Sequence, residues 1–293
     1  MWVIFSISAA LLWAIANIID KTILTKWVRK PLVPVIITGA VWLALGITIF
    51  FAEGFSYLSL FNLSLAILTG IFTTIVYLLY FKAIQIQEAS RVIPLTYLSQ
   101  LFILILAAVF LGEVLTLSKY LGILLLIAGA ILISVKNLSK KGFGKVFWWM
   151  VLIAVFNAMS AILTKHLLNF ADFWTIFGYK SIGMFIGSIP IACLYFGELI
   201  KTVKQYGKKV VIAISVSELL TAIGILFSII AMSFGYVTLV NALSSLQPFF
   251  VLLFTILLTV FFPSILKEEL NKSAVFFKAL AIVLIFTGVI LVT

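Results

Sequence analysis

Glu218, Lys180, Asp20 and Lys21 are ionisable residues set inside long apolar runs, and they offer the chain most of its chemistry. A charge at the centre of a bilayer costs about 2.5–3.5 kcal/mol on insertion scales. Each therefore asks for a partner, a water-filled cavity or a route by which the side chain can snorkel out. Glu218 lies near the middle of its run and Lys180 a third of the way into the preceding one. An ion pair across neighbouring helices satisfies both, and so does direct contact with a substrate or a proton. As the only deep carboxylate, Glu218 is the candidate for carrying a coupling proton. Asp20 and Lys21 lie near the end of the first run, where snorkelling to the interface is expected.

Neutral polar residues recur in the same runs. Asn17, Gln100, Asn157, Asn241 and Gln247 are expected either to hydrogen-bond between helices or to line a pocket, and both readings stay open. Trp13, Tyr77, Tyr97 and Tyr179 are aromatic candidates for the same pocket. Trp13 is the best placed of them, since an aromatic face beside Glu218 suits a cation. Trp2, Trp27, Trp148 and Trp149 fall at the ends of runs and read as interfacial belts. Pro248 lies mid-run, where a missing donor should free the carbonyl of Ser244 to line a cavity. Pro94 does the same for Ser90 nearer a helix end. Gly183 and Gly187 form a small-residue step of the kind that packs helices closely.

What must position these residues follows from composition. Of 293 residues, 65% are hydrophobic and only 10% charged, with a mean hydropathy of +1.32. Soluble domains run about 45–50% apolar and about 25% charged, so a bilayer is the natural solvent. A soluble enzyme, a nucleic-acid binder and a disordered tail are excluded on that ground. One cysteine and one histidine give neither a disulfide framework nor a metal cluster, so no cofactor and no metal is expected. An intramembrane enzyme would need a paired acid or metal constellation that these residues do not supply. No nucleotide-binding loop is present, so ATP cannot drive the chain directly.

Ten stretches are long enough to cross a core of about 30 Å. They cover 2–24, 32–51, 63–82, 91–111, 117–135, 145–166, 173–196, 208–233, 237–261 and 274–292. The first lacks the basic leader and cleavage site of a signal peptide. Joining the spans in order puts fifteen Lys and Arg in alternate loops on one side and two on the other. Short basic loops stay in the cytoplasm, so both termini are expected outside. The expected setting is a multi-pass protein of the plasma or inner membrane, a monomer or a homodimer.

The chain also echoes itself. Ile23-Leu24-Thr25-Lys26 is matched by Ile162-Leu163-Thr164-Lys165, and Gln100-Leu101-Phe102 by Gln247-Pro248-Phe249. The fold class is therefore all-α, with ten transmembrane helices as two repeats of five, residues 1–138 and 139–293. An odd number of spans per repeat turns the second upside down, which is the architecture of many secondary transporters.

With its ten spans in two halves, the chain resembles the EamA type of the drug/metabolite transporter superfamily. Leu12-Trp13-Ala14 with Asn17 and Lys21 is similar to the family's opening, and Pro94 with Leu111-Gly112-Glu113 and Leu115-Thr116 to its fourth-span signature. Gly122 and Gly129 fall where the family's fifth span is glycine-rich. The second half departs, with Lys267-Glu268-Glu269 in place of the glycine-glutamate pair. Members are mostly described with cytoplasmic termini, the reverse of the charge count. The resemblance implies carriage of small organic metabolites by alternating access. A small-molecule substrate, amino-acid-like or an amine, is expected, with proton coupling or exchange. A lipid-head-group flippase of the same fold is the alternative.

Overall fold

Once water is excluded, a spanning segment must satisfy every backbone N–H and C=O within itself, and a helix does so. The computed structural model describes residues 1–28, 30, 32–54, 57–86, 95–134, 143–261 and 272–293, and no strand occurs among them. The helices are α1 (Trp2–Lys26), α2 (Val33–Glu53), α3 (Leu60–Ile86) and α4 (Leu98–Leu106), the last running into a π-helical turn (Ala107–Leu111). Then follow α5 (Leu117–Ser134), α6 (Phe143–Leu167), α7 (Phe173–Tyr206), α8 (Lys208–Phe234) and α9 (Val237–Leu243). A 3₁₀ turn (Ser244–Leu246) leads into α10 (Gln247–Phe261), and α11 (Lys272–Val292) closes the chain.

Among the described residues, seven helical stretches are long and apolar enough to cross a membrane: Trp2–Leu24, Val33–Glu53, Leu60–Ala83, Val146–Leu167, Phe173–Tyr206, Lys208–Phe234 and Val237–Leu257. Leu98–Leu111, Leu117–Leu132 and Ala279–Val292 are apolar but shorter. Large side chains such as Phe51, Phe110 and Leu194 stand on the outer surface. So much exposed apolar area is a liability in water and ordinary against lipid tails. The chain is an all-α, multi-pass membrane protein.

Helices α1 and α8 pack together, as do α2 and α7, α3 with both α6 and α7, α4 with α6, and α5 with α11. Lipid tails are as apolar as leucine, so close backbone approach holds such pairs better than hydrophobicity does. Between α3 and α7, Gly70 lies against the Lys180 carbonyl and Gly183 against the Ile67 carbonyl, with no room for a Cβ at either. Gly187 meets Thr74 in the same seam. The glycine step read from the sequence is this contact. Between α5 and α11, Gly122 faces the Gly288 carbonyl and Gly129 that of Ala281.

Two features differ from the sequence reading. The seventh span was expected to end at 196 with a loop through 209, yet α7 has 34 residues and continues to Tyr206. At 1.5 Å per residue it is about 51 Å long, well beyond a hydrocarbon core of about 30 Å. Its polar end is therefore a solvated helical extension, where Glu198 pairs with Lys201 at 3.0 Å and Lys30 at 3.4 Å. Only Gly207 separates α7 from α8, with φ +75°, a conformation glycine adopts at little cost.

The ninth span is likewise not one continuous α-helix. It breaks at Ser244–Leu246, and Pro248 sits in the first turn of α10, where a missing donor leaves little unsatisfied. The Ser244 carbonyl, expected to be free, accepts the Gln247 N–H. Pro94, Ser90, Lys267, Glu268 and Glu269 lie outside the described residues, as does the side chain of Lys21.

Candidate functional site

A cavity of about 300 Å³ opens inside the bundle. That is the lower end of the range for small-molecule sites. Helix α1 contributes Trp13, Asn17 and Asp20, and α3 contributes Thr73, Tyr77 and Tyr80. Tyr97, Ser99 and Gln100 come from the start of α4, Asn157, Ser160 and Thr164 from α6, and Lys180 from α7. Helix α8 supplies Glu218, Thr221 and Ser228, and the broken α9–α10 segment supplies Asn241, Ser244 and Gln247. Residues from both ends of the chain thus share one chamber.

Three ionisable side chains face it. Glu218 is 5% exposed and bound on its far side by α2: Thr38 Oγ1 donates to Oε1 at 2.8 Å and Trp42 Nε1 to Oε2 at 3.1 Å. Lys180, 6% exposed, donates from Nζ to Ser160 Oγ at 2.8 Å. Asp20 accepts from Ser217 Oγ at 2.6 Å. Of the two readings left open for Lys180 and Glu218, an ion pair or contact with a substrate or proton, the ion pair is not formed; among the described residues the ion pairs are those of Glu198. The two helices do pack, but each charge is turned to a different wall. Asp20 was expected to snorkel. It faces the cavity instead, because the close packing of α1 on α8 brings Ser217 within reach.

The neutral groups form a second layer. Gln100 Nε2 donates to the Asn241 carbonyl at 3.4 Å, and Ser99 Oγ to Gln100 Oε1 at 2.9 Å. Asn241 Nδ2 donates to the Val237 carbonyl at 2.9 Å. These bonds tie α4 to α9. Trp13 Nε1 donates to the Thr221 carbonyl at 3.3 Å, its ring lying over Gly224.

Of the eleven residues singled out from the sequence, ten line this cavity: Trp13, Asn17, Tyr77, Tyr97, Gln100, Asn157, Lys180, Glu218, Asn241 and Gln247. Tyr179 does not; its ring packs on Phe50, 4.9 Å between centroids. One residue along a helix turns the side chain by about 100°, and that rotation separates Tyr179 from Lys180. Asp20, Tyr80, Ser160, Thr164 and Thr221 were missed. A serine or threonine within a span usually bonds its own helix, as Thr73 does to the Thr69 carbonyl, so hydroxyls alone gave little signal.

Part of the chamber wall is apolar. Ile103, Ala161 and Met232 line the cavity and belong to a buried cluster with Ala107, Ala158, Val237 and Val240. Beyond it lies the α8–α9 junction. Glu113 is turned there by Gly112, whose φ of +66° reverses the chain after the π-helical turn. Its carboxylate accepts the Val237 N–H at 2.7 Å, the Thr238 N–H at 3.1 Å and the Thr238 hydroxyl at 2.6 Å. Lys165 Nζ donates to the Met232 and Gly235 carbonyls at 2.6 and 2.8 Å.

The chain is similar to several known proteins. The chain is 41% identical over 68 residues to an uncharacterized transporter in the cobO 3′ region of Sinorhizobium sp, covering 23% of this chain and 48% of that one. It is 37% identical over 75 residues to an uncharacterized protein of Methanocaldococcus jannaschii, covering 26% and 55%. The chain thus spans about half the length of the curated relatives it matches. A solved structure titled only as the crystal structure of a protein superposes with a TM-score of 0.68 at 20% identity, over 100% of this chain and 96% of that one, and shares its fold. Residues 1–135 match the model of the EamA-like transporter family.

Proposed function

We propose that the protein is a secondary carrier for a small polar organic metabolite, an amino-acid-like molecule or an amine, working by alternating access. The observation behind this is the central chamber itself. A polar cavity lined by Asp20, Lys180 and Glu218 and enclosed by apolar helices puts a costly group of residues where a spanning protein otherwise has none. Such groups mark substrate paths.

Two inverted halves, residues 1–138 and 139–293, are the moving parts in this reading. The helix pairings support it. Exchanging each helix of the first half for its counterpart in the second turns the α1–α8 contact into the α6–α3 contact and leaves α2–α7 and α5–α11 unchanged. A two-fold axis in the membrane plane would produce such an exchange. In this reading the chamber lies between the halves, and the Glu113–Lys165 end is taken as the closed one. Rocking the halves would open that end and close the other around the same residues.

Coupling falls to Glu218, with Asp20 as a second carboxylate on the same side. A proton or a cationic substrate group neutralises them in turn, so one displaces the other. Reconstituted in liposomes, the protein should take up at least one labelled solute from a panel of amino acids, amines, nucleosides and sugars, and unlabelled solute inside should accelerate uptake. Glu218→Gln should retain counterflow and lose the response to an imposed pH gradient. Uptake of no solute in the panel would remove the carrier reading.

A further inference from the structure

We infer that the ligand is a zwitterion whose carboxylate sits on the Lys180 ammonium while its cationic group faces Asp20 and Glu218. This rests on reading the chamber as the transport site and narrows its substrate class.

Lys180 is fixed from two sides. Its carbonyl lies against Gly70 in the α3–α7 seam, where no Cβ would fit, so the backbone beneath the side chain is closely packed. Its Nζ donates to Ser160 Oγ at 2.8 Å, and the Ser160 hydroxyl spends its own proton on the Thr69 carbonyl at 3.2 Å. The serine therefore offers the lysine a lone pair and nothing else. An ammonium has three donors. One is used, and the group lines the cavity at 6% exposure with no acidic partner among the described residues. Buried charges in proteins are paired, since an isolated one is expensive. The missing anion comes with the ligand.

The two carboxylates ask for the opposite sign. Asp20 and Glu218 are held in place by hydroxyl and indole donors, which fix their orientation without cancelling their charge. Trp13 stands in the same chamber and offers a ring face to a cation. A simple amine satisfies these carboxylates and strands Lys180; a simple carboxylate does the reverse. A zwitterion meets both. A phosphate dianion is disfavoured, because one ammonium is a poor match for two negative charges beside two carboxylates.

The test uses the full chain in detergent and needs no variant for its first arm. The twenty L-amino acids are compared, by thermal melting and equilibrium dialysis, with their decarboxylated amines and their N-acetyl derivatives. At least one amino acid should bind, with its amine and its N-acetyl acid each at least tenfold weaker. Lys180→Met should abolish that preference for the amino acid over the amine, Lys180→Arg should restore part of it, and Ser160→Ala should reduce it. An amine that binds as tightly as its parent amino acid overturns the assignment. So does an unchanged preference in Lys180→Met, and so does silence across all twenty amino acids. Liposome uptake separates the two readings: transport of an amine or a sugar without zwitterion binding leaves the carrier standing and removes this inference. Zwitterion binding without transport of any solute does the opposite.

Discussion

Glu113 and Lys165 hold the two sides of one helix break: the carboxylate caps the N-terminus of α9 and the ammonium caps the C-terminus of α8. Each charge meets the end of the helix dipole it complements. Both side chains reach the junction from elsewhere in the chain, Glu113 from beyond α4 and Lys165 from the last turn of α6. The segment after α4 and the last turn of α6 are thereby latched to the α8–α9 junction.

The latch gives a stability prediction. Glu113 is 4% exposed, so removing its carboxylate leaves the Val237 and Thr238 N–H groups without acceptors in a buried place. An unsatisfied buried donor costs about 1–3 kcal/mol. Glu113→Ala should therefore lower the melting temperature clearly, and Glu113→Gln, which keeps one acceptor, by less. Gly112→Ala should cost about 1–2 kcal/mol through its positive φ alone, since a Cβ there meets nothing within 4 Å. Equal melting of Glu113→Ala and the parent protein would show that the latch is idle.

Asp172 makes a second, smaller cap that shows in the pH dependence. Its carboxylate accepts the Trp174 and Thr175 N–H groups at 2.8 and 3.0 Å and the Thr175 hydroxyl at 2.7 Å, at the start of α7. Burial pushes its pKa up, but the bonds from Thr175 and Trp174 outweigh it and hold the group below its ordinary value. A folded pKa below the unfolded one stabilises at all pH above the unfolded value, about 3.9. That contribution is lost as pH falls through the folded value. Asp172→Ala should cost about 1 kcal/mol at pH 7, and the gap to the parent should close below about pH 4. A gap that persists in acid would assign the loss to packing instead.

Much of the chamber is legible in the sequence because polar groups in apolar runs have few uses. Asn17, Gln100, Asn157, Asn241 and Gln247 all face it. What periodicity cannot give is rotation. Tyr77 and Tyr179 look alike along the chain, and only the phase of each helix sends one to the cavity and the other to Phe50. Nor could it give the walls on which charges rest. Glu218 and Lys180 sit on adjacent helices and suggest a pair, yet Thr38 and Trp42 of α2 claim the one and Ser160 of α6 the other. The end of α7 was missed because its glutamate and lysines read as loop chemistry, and a helix leaving the membrane uses the same residues.

Orientation can be tested without reference to the chamber. The charge count puts the loop holding Ser56 outside and the loop holding Ser139 in the cytoplasm; both positions lie outside the described residues. Cys193 is a free, exposed thiol and must be removed first. In a Cys193→Ala background, Ser56→Cys should react with an impermeant maleimide in intact cells and Ser139→Cys only after permeabilisation. The reverse pattern would place both termini in the cytoplasm, as is usual in the family the sequence resembles.

The separation of Glu218 from Lys180 predicts how the two respond to mutation. A buried ion pair loses about 3–5 kcal/mol when either partner goes, and the double change recovers much of it. Here the two share no hydrogen-bond partner, so their effects should add to within about 0.5 kcal/mol. Glu218→Gln should destabilise by less than about 1 kcal/mol, because the Thr38 hydroxyl can donate to the Pro34 carbonyl and accept from the new amide, whose oxygen keeps the Trp42 N–H. Lys180→Met should leave the melting temperature unchanged or raise it, since a lone buried ammonium is replaced by an apolar chain of similar length. Uptake moves the other way. Lys180→Met should fold well and lose at least tenfold of its transport, while Tyr179→Phe, outside the chamber, should transport like the parent. A coupling energy of 3 kcal/mol or more in the double-variant cycle would mean that the pair forms in the functional state, and would return Lys180 to a structural role.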